Sequence, residues 1–174
     1  AVDVPTDPHL VVDRPATPDA RIPRATRSLT ALAALAAGLC ICLALPPWGW
    51  WPLAPIGIAT FLWLLGGRRA RTRAGIGWLV GVSWFGPSTL WMFRLTEPGY
   101  VVGVLVVWGG MVAVVAALCP PDRRRVVALP ALLVLFEWFH IHAPFGGIPL
   151  SMLATTQTDG PLLPIARIGG ALLL

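Results

Sequence analysis

The sequence predicts an all-α polytopic membrane protein, with about five complete transmembrane helices, the start of a sixth and a cytoplasmic N-terminus. Three observations predict it. Apolar residues make up 56% of the 174-residue chain and charged residues only 12%, with a mean hydropathy of +0.75. The apolar residues gather into runs of helix length, separated by short loops. The basic residues, all 13 of them arginine, cluster at alternate ends of those runs. A soluble domain carries about 25% charged residues, so this chain has too little polar surface to coat a water-soluble globule. An ordinary cytosolic enzyme is excluded, and so is a largely disordered chain.

Residues 1–27 hold five prolines, four aspartates and four arginines with little periodicity. They are expected to form a disordered cytoplasmic tail, ahead of a transmembrane helical domain over residues 28–174. Arg21, Arg24 and Arg27 make a basic collar before the first apolar run. A cleaved signal peptide is the rival reading of that collar. The long polar leader and the run's end at Pro46-Pro47-Trp48, with no small-residue cleavage site, favour a retained span. Neither Cys40 nor Cys42 follows the small residues of a lipoprotein cleavage box.

The spans are expected at Leu29–Leu45, Leu53–Leu65, Ala74–Phe93, Tyr100–Leu118 and Val126–Ile141, with a last run beginning near Pro161. Crossing a bilayer core takes about 20 helical residues at 1.5 Å each. The third and fourth runs meet that length. The second is short and must tilt, thin the bilayer or borrow its flanking tryptophans. Pro87, followed by Ser88 and Thr89, is expected to kink the third span and leave a carbonyl for a hydroxyl to satisfy.

Orientation follows from the arginines. The collar, the loop holding Arg68, Arg69, Arg71 and Arg73, and the loop holding Arg123, Arg124 and Arg125 fall on one side of the alternating spans. The opposite loops, Pro46–Pro52, Arg94–Gly99 and His142–Gly160, contain a single arginine. This is a positive-inside pattern. Trp48, Trp50 and Trp51 suit the outer interface, where an indole keeps its ring apolar and its N–H wet. The net charge of +5 and pI near 10.5 are thereby explained without nucleic acid, which needs basic residues on a solvated face. Cys40, Cys42 and Cys119 match no zinc spacing and read as small buried side chains. The chain starts without Met and stops within an apolar run at Leu174, as expected of a piece of something longer.

Ionisable groups inside spans are costly and mark candidate sites. Glu137 and His140, three residues apart on the fifth span, are expected on one helical face. A proton relay or a polar substrate contact is the functional reading, and a structural pair near the outer boundary is the other. Gly77 and Gly81 are expected to serve helix packing. The Gly/Pro-broken segment from Glu137 to Leu150, followed by Thr156–Leu162, is either the wall of a lipid-access cavity or a re-entrant connector. Gln157, Thr158 and Asp159 are expected to cap the next helix, with Pro161 in its first turn.

These residues also carry a family resemblance. Glu137-Trp138-Phe139, Gly147-Ile148-Pro149-Leu150, Thr156-Gln157-Thr158-Asp159-Gly160-Pro161-Leu162 and the stretch from Pro164 to Gly170 resemble, in order, motifs of the apolipoprotein N-acyltransferases. Pro46–Leu53 is similar to that family's first outer loop, and Gly77–Gly86 with Leu90-Trp91 to its third span. Leu150 stands where the family usually has Trp, and His140 where Arg is frequent.

The resemblance implies a multi-pass enzyme of the bacterial cytoplasmic membrane. Such an enzyme moves an acyl chain from a phospholipid to the amino group of a diacylglyceryl-cysteine lipoprotein. In that family the chemistry belongs to an extracytoplasmic nitrilase-like domain with a Glu-Lys-Cys triad. With no Lys in this chain, no catalytic residue carries over, and no metal or other cofactor is implied. Glu137, Trp138, His140, Gln157 and Asp159 remain as substrate or lipid-groove candidates. The partners implied are a phospholipid acyl donor, a diacylglyceryl apolipoprotein and the bilayer, with no nucleic acid. A small transporter or channel subunit, or a non-catalytic interaction protein, are the alternatives. The first expects paired mid-span charges or repeated halves, and neither is visible.

Overall fold

The computed structural model describes residues 24–143 and 150–170. The described residues form an all-α structure. Helix α1 spans Arg24–Ala44, α2 Leu53–Leu65 and α3 Ala70–Ser88. A short 3-10 turn, Leu90–Arg94, leads to α4, Glu97–Val102, which continues through a π-helical stretch, Gly103–Trp108, into α5, Gly109–Leu118. Helix α6 spans Arg125–His140, and two 3-10 turns, Leu153–Gln157 and Leu163–Ile165, precede α7, Ala166–Gly169. Arg24 and Arg27 lie in the first turn of α1, and residues 1–23 fall outside the described residues.

Helix α3 is the centre of the bundle, packed against α1 on one side and α5 on the other. Glycine makes both contacts close. A Cβ on Gly38 of α1 would overlap the Ser83 hydroxyl and the Val80 carbonyl. One on Gly77 of α3 would stand 2.6 Å from the Val112 carbonyl oxygen of α5, and one on Gly81 3.0 Å from the Gly109 Cα. Helices that share an apolar solvent associate through such close backbone approach. The outward faces are apolar too: Trp63 is 72% exposed and Val127 76%. A helix apolar on all sides is one that meets lipid or protein everywhere.

Among the described residues, two helical stretches are long and apolar enough to cross a membrane, Thr26–Ala44 and Glu97–Leu118. Helix length alone therefore supports two of the five expected crossings. The third differs most from expectation. Its helix ends at Ser88 instead of running to Phe93, one residue after Pro87, which has no N–H to offer the Ser83 carbonyl. Ser88 Oγ donates to the Trp84 carbonyl at 2.9 Å, and Thr89 Oγ1 to that of Phe85 at 2.6 Å. After Pro87 the chain leaves the α-helix and continues into the 3-10 turn. The fourth run begins earlier than Tyr100, at Glu97, with Thr96 capping it and Pro98 in its first turn.

The arginine-bearing segments meet at one end of the bundle. Arg68 Nη2 donates to Thr30 Oγ1 at 3.3 Å, joining the α2–α3 loop to the start of α1. Gly67 N–H donates to the Pro121 carbonyl at 3.0 Å, joining that loop to the α5–α6 loop. Arg73 is buried and closes the arrangement. It donates to the carbonyls of Ala116 at 3.2 Å and Ala117 at 2.9 Å, at the end of α5, and also to that of Arg68. A cation here answers carbonyls left over at a helix C-terminus.

Candidate functional site at the opposite end

The other end gathers the end of α6, the start of α2 and the Leu153–Gln157 turn around a cavity of about 290 Å³. Glu137, in the last turn of α6, is buried, and its Oε1 accepts the Leu153 N–H at 2.9 Å. That bond ties the turn to α6. Ser151 makes the approach possible by adopting φ 56°, a left-handed conformation uncommon for a residue with a Cβ. Its hydroxyl donates to Ser88 Oγ at 2.7 Å, fastening the same segment to α3. Trp51, Pro55 and Ile58 supply the facing apolar wall.

Gln157 reaches the cavity from the far end of the turn. Its Nε2 donates to Thr156 Oγ1 at 3.3 Å, while its Oε1 is buried without a hydrogen-bond partner among the described residues. Glu137 and Gln157 thus stand in a cavity wall otherwise lined mostly by apolar side chains. A ligand with an apolar body suits such a wall.

His140 does not join Glu137. Side chains three residues apart diverge by about 60° around a helix, and here that angle sends them to different neighbours. His140 enters an aromatic cluster of Phe85, Trp108 and Phe136, where its Nε2 accepts the Trp108 Nε1–H at 3.0 Å. Its Nδ1 has no partner among the described residues. Trp138 is 49% exposed and borders a second, almost wholly apolar groove of about 770 Å³ between α5 and α6, with Val106, Met111 and Phe139. Asp159 is exposed, with Oδ2 beside Gly49 of the α1–α2 loop, 2.8 Å from where a Cβ would stand.

The expected cap is not formed as drawn. Gln157 is drawn into the 3-10 turn, Pro161 lies in the loop after it, and α7 starts only at Ala166. Pro144–Pro149, including the Gly147-Ile148-Pro149 motif, lies outside the described residues, as do Ala171–Leu174 of the expected sixth span. Sequence reasoning missed the Leu153 amide and the Trp108 indole as partners. Neither has a signal in the chain itself: one is a backbone group, and the other lies 32 residues from His140.

Comparison with known proteins places this geometry. The profile of the apolipoprotein N-acyltransferase N-terminal domain matches residues 37–174. Proteins named apolipoprotein N-acyltransferase are similar to the chain: one from Mycolicibacterium smegmatis is 33% identical over 152 residues, covering 80% of this chain and 24% of that protein. One from Vibrio parahaemolyticus is 28% identical over 159 residues, covering 82% of the chain and 31% of its own length. One from Caulobacter vibrioides is 30% identical over 145 residues, covering 73% and 27%. The chain thus spans about three tenths of the length of the curated relatives it matches. By the match over residues 37–174, which takes in every element from the middle of α1 onward, the chain belongs to the apolipoprotein N-acyltransferase N-terminal domain family.

Proposed function

We propose that this chain is the membrane part of an apolipoprotein N-acyltransferase of the bacterial cytoplasmic membrane. The whole enzyme transfers an acyl chain from a phospholipid to the amino group of a diacylglyceryl-cysteine lipoprotein. The single observation that carries the reading is the family match over residues 37–174. In this reading the N-terminus is cytoplasmic, five helices cross the membrane and a sixth begins near Pro161. The short α2 and α6 then cross with help from their flanks, at 13 and 16 residues. Residues 1–27 serve as the cytoplasmic tail and 28–174 as the membrane domain.

The role of this part is anchorage and lipid access, beneath a nitrilase-like domain that holds the catalytic triad. The Glu137–Gln157 cavity lies toward the outer end, where acyl donor and lipoprotein would enter, and the Trp138 groove runs along α5 and α6 as far as Leu118. Glu137 is then a positioning residue that holds the Leu153–Gln157 turn, His140 steadies α6 against α3, and Asp159 braces the first outer loop. Gly77 and Gly81 seat α3 on α5.

A chimera tests the proposal. Residues 28–174 would replace the matching segment of a full-length relative, with N-acylation of a diacylglyceryl lipopeptide measured in phosphatidylethanolamine-containing proteoliposomes. Acyl transfer within about tenfold of the parent (about 1.4 kcal/mol in barrier) is the expected result. A chimera that inserts, folds and transfers nothing would overturn it.

A further inference from the structure

At the arginine-bearing end, α1 and α3 part around a hollow of about 360 Å³, away from the Glu137 cavity. Its mouth is polar and its floor apolar. Arg27 and Thr30 stand on the α1 side of the mouth, Arg68 and Thr72 on the α3 side, and Ile76 and Leu79 form the floor. Positions 72, 76 and 79 share one helical face, so the change from hydroxyl to hydrocarbon follows the axis of α3 into the bundle.

The two cations have spare capacity. Arg68 is half-buried, and among the described residues it spends one N–H on Thr30 Oγ1. Arg27 is exposed and has no hydrogen-bond or ion-pair partner among them. The ion pair formed among the described residues is Arg124–Asp122, in the α5–α6 loop. Arg73 contrasts with both, being buried and committed to carbonyls. Gly75 lies on the hollow with nothing within 4 Å of where its Cβ would be, so the space is open.

We propose that this hollow binds an anionic phospholipid of the leaflet on the arginine side. Its phosphate sits between Arg27 and Arg68, and one acyl chain lies along Ile76 and Leu79. A guanidinium fork matches phosphate oxygens in pairs. Basic pockets between spanning helices at this depth suit anionic headgroups. The apolar floor selects a lipid over inorganic phosphate, which would leave that floor empty.

The test titrates the full chain, purified in a neutral detergent, with phosphatidylglycerol or phosphatidylcholine and counts lipid adducts by native mass spectrometry. Phosphatidylglycerol is retained in preference to phosphatidylcholine. The pair Arg27→Ala/Arg68→Ala lowers phosphatidylglycerol affinity by roughly 30-fold, at about fivefold for each arginine near the surface. The pair Arg71→Ala/Arg123→Ala, at the same end but outside the hollow, lowers it by less than about threefold. Gly75→Leu fills the floor with both arginines intact, and it weakens binding without lowering the melting temperature. Equal losses in the two arginine pairs, equal retention of the two lipids, or full binding by Gly75→Leu would each overturn the site.

Discussion

Gly77→Leu is expected to lower the melting midpoint of the detergent-solubilised protein by roughly 10 °C, from a cost of about 3 kcal/mol in α3–α5 packing. The size of the effect follows from what the new side chain meets. A Cβ at that position would lie 2.5 Å from Ala116 Cβ, 2.6 Å from the Val112 oxygen and 3.1 Å from Ala113 Cα. None of these atoms can rotate away, so α5 must move bodily. The contrast is Gly75→Leu, two residues earlier, where a Cβ meets nothing within 4 Å. Its midpoint is expected to stay within about 2 °C of the parent, since removing a helical glycine offsets small losses. Equal melting of the two variants would contradict the packing of α3 against α5.

Glu137→Ala is the second large effect, and it is read at the opposite end. The carboxylate holds the Leu153 N–H, and its loss strands a buried amide at a cost of about 1–3 kcal/mol. The Leu153–Gln157 turn then leaves α6, and the cavity loses the wall bearing Gln157. In the chimeric enzyme, N-acylation is expected to fall at least about tenfold, the kinetic equivalent of 1.4 kcal/mol. Glu137→Gln keeps an acceptor oxygen in place and is expected to hold activity within about threefold. A proton-carrying role makes the opposite prediction, because the amide would then fail as fully as alanine.

These contrasts show which parts of the molecule the sequence makes legible. Gly77 and Gly81 could be read as a close-packing pair because their spacing alone puts them on one helical face. Helix α6 could be read almost to the residue, since the loop arginines and His142 bracket its apolar run. The end of α3 could not. Apolar residues continue past Ser88 to Phe93, so hydropathy carries no mark of the stop one residue after Pro87. The candidate site divides in the same way. Glu137 and Gln157 stand out by type, one a carboxylate in an apolar run and the other within a motif. Their partners do not, because the Leu153 N–H and the Trp108 indole are brought in by tertiary packing that periodicity does not encode. Glu137 and His140 mislead for a related reason. Sharing a face of α6 constrains direction to within about 60°, and different neighbours lie on either side of that angle.

The arrangement behind this reading is two-ended: the joined arginine-bearing loops at one end, the Glu137 cavity at the other. Hydrogen bonds already join the start of α1, the α2–α3 loop and the α5–α6 loop into one end of the bundle. Cysteine accessibility in intact bacterial cells tests its placement in the membrane most directly. Cys40, Cys42 and Cys119 are first replaced by alanine, and single cysteines are then introduced at Arg71, Arg123, Trp48 and Asp159. A membrane-impermeant maleimide added outside is predicted to label Trp48→Cys and Asp159→Cys at once, and Arg71→Cys and Arg123→Cys only after the cells are opened. Labelling of Arg71→Cys and Arg123→Cys from opposite sides of the membrane would contradict the account.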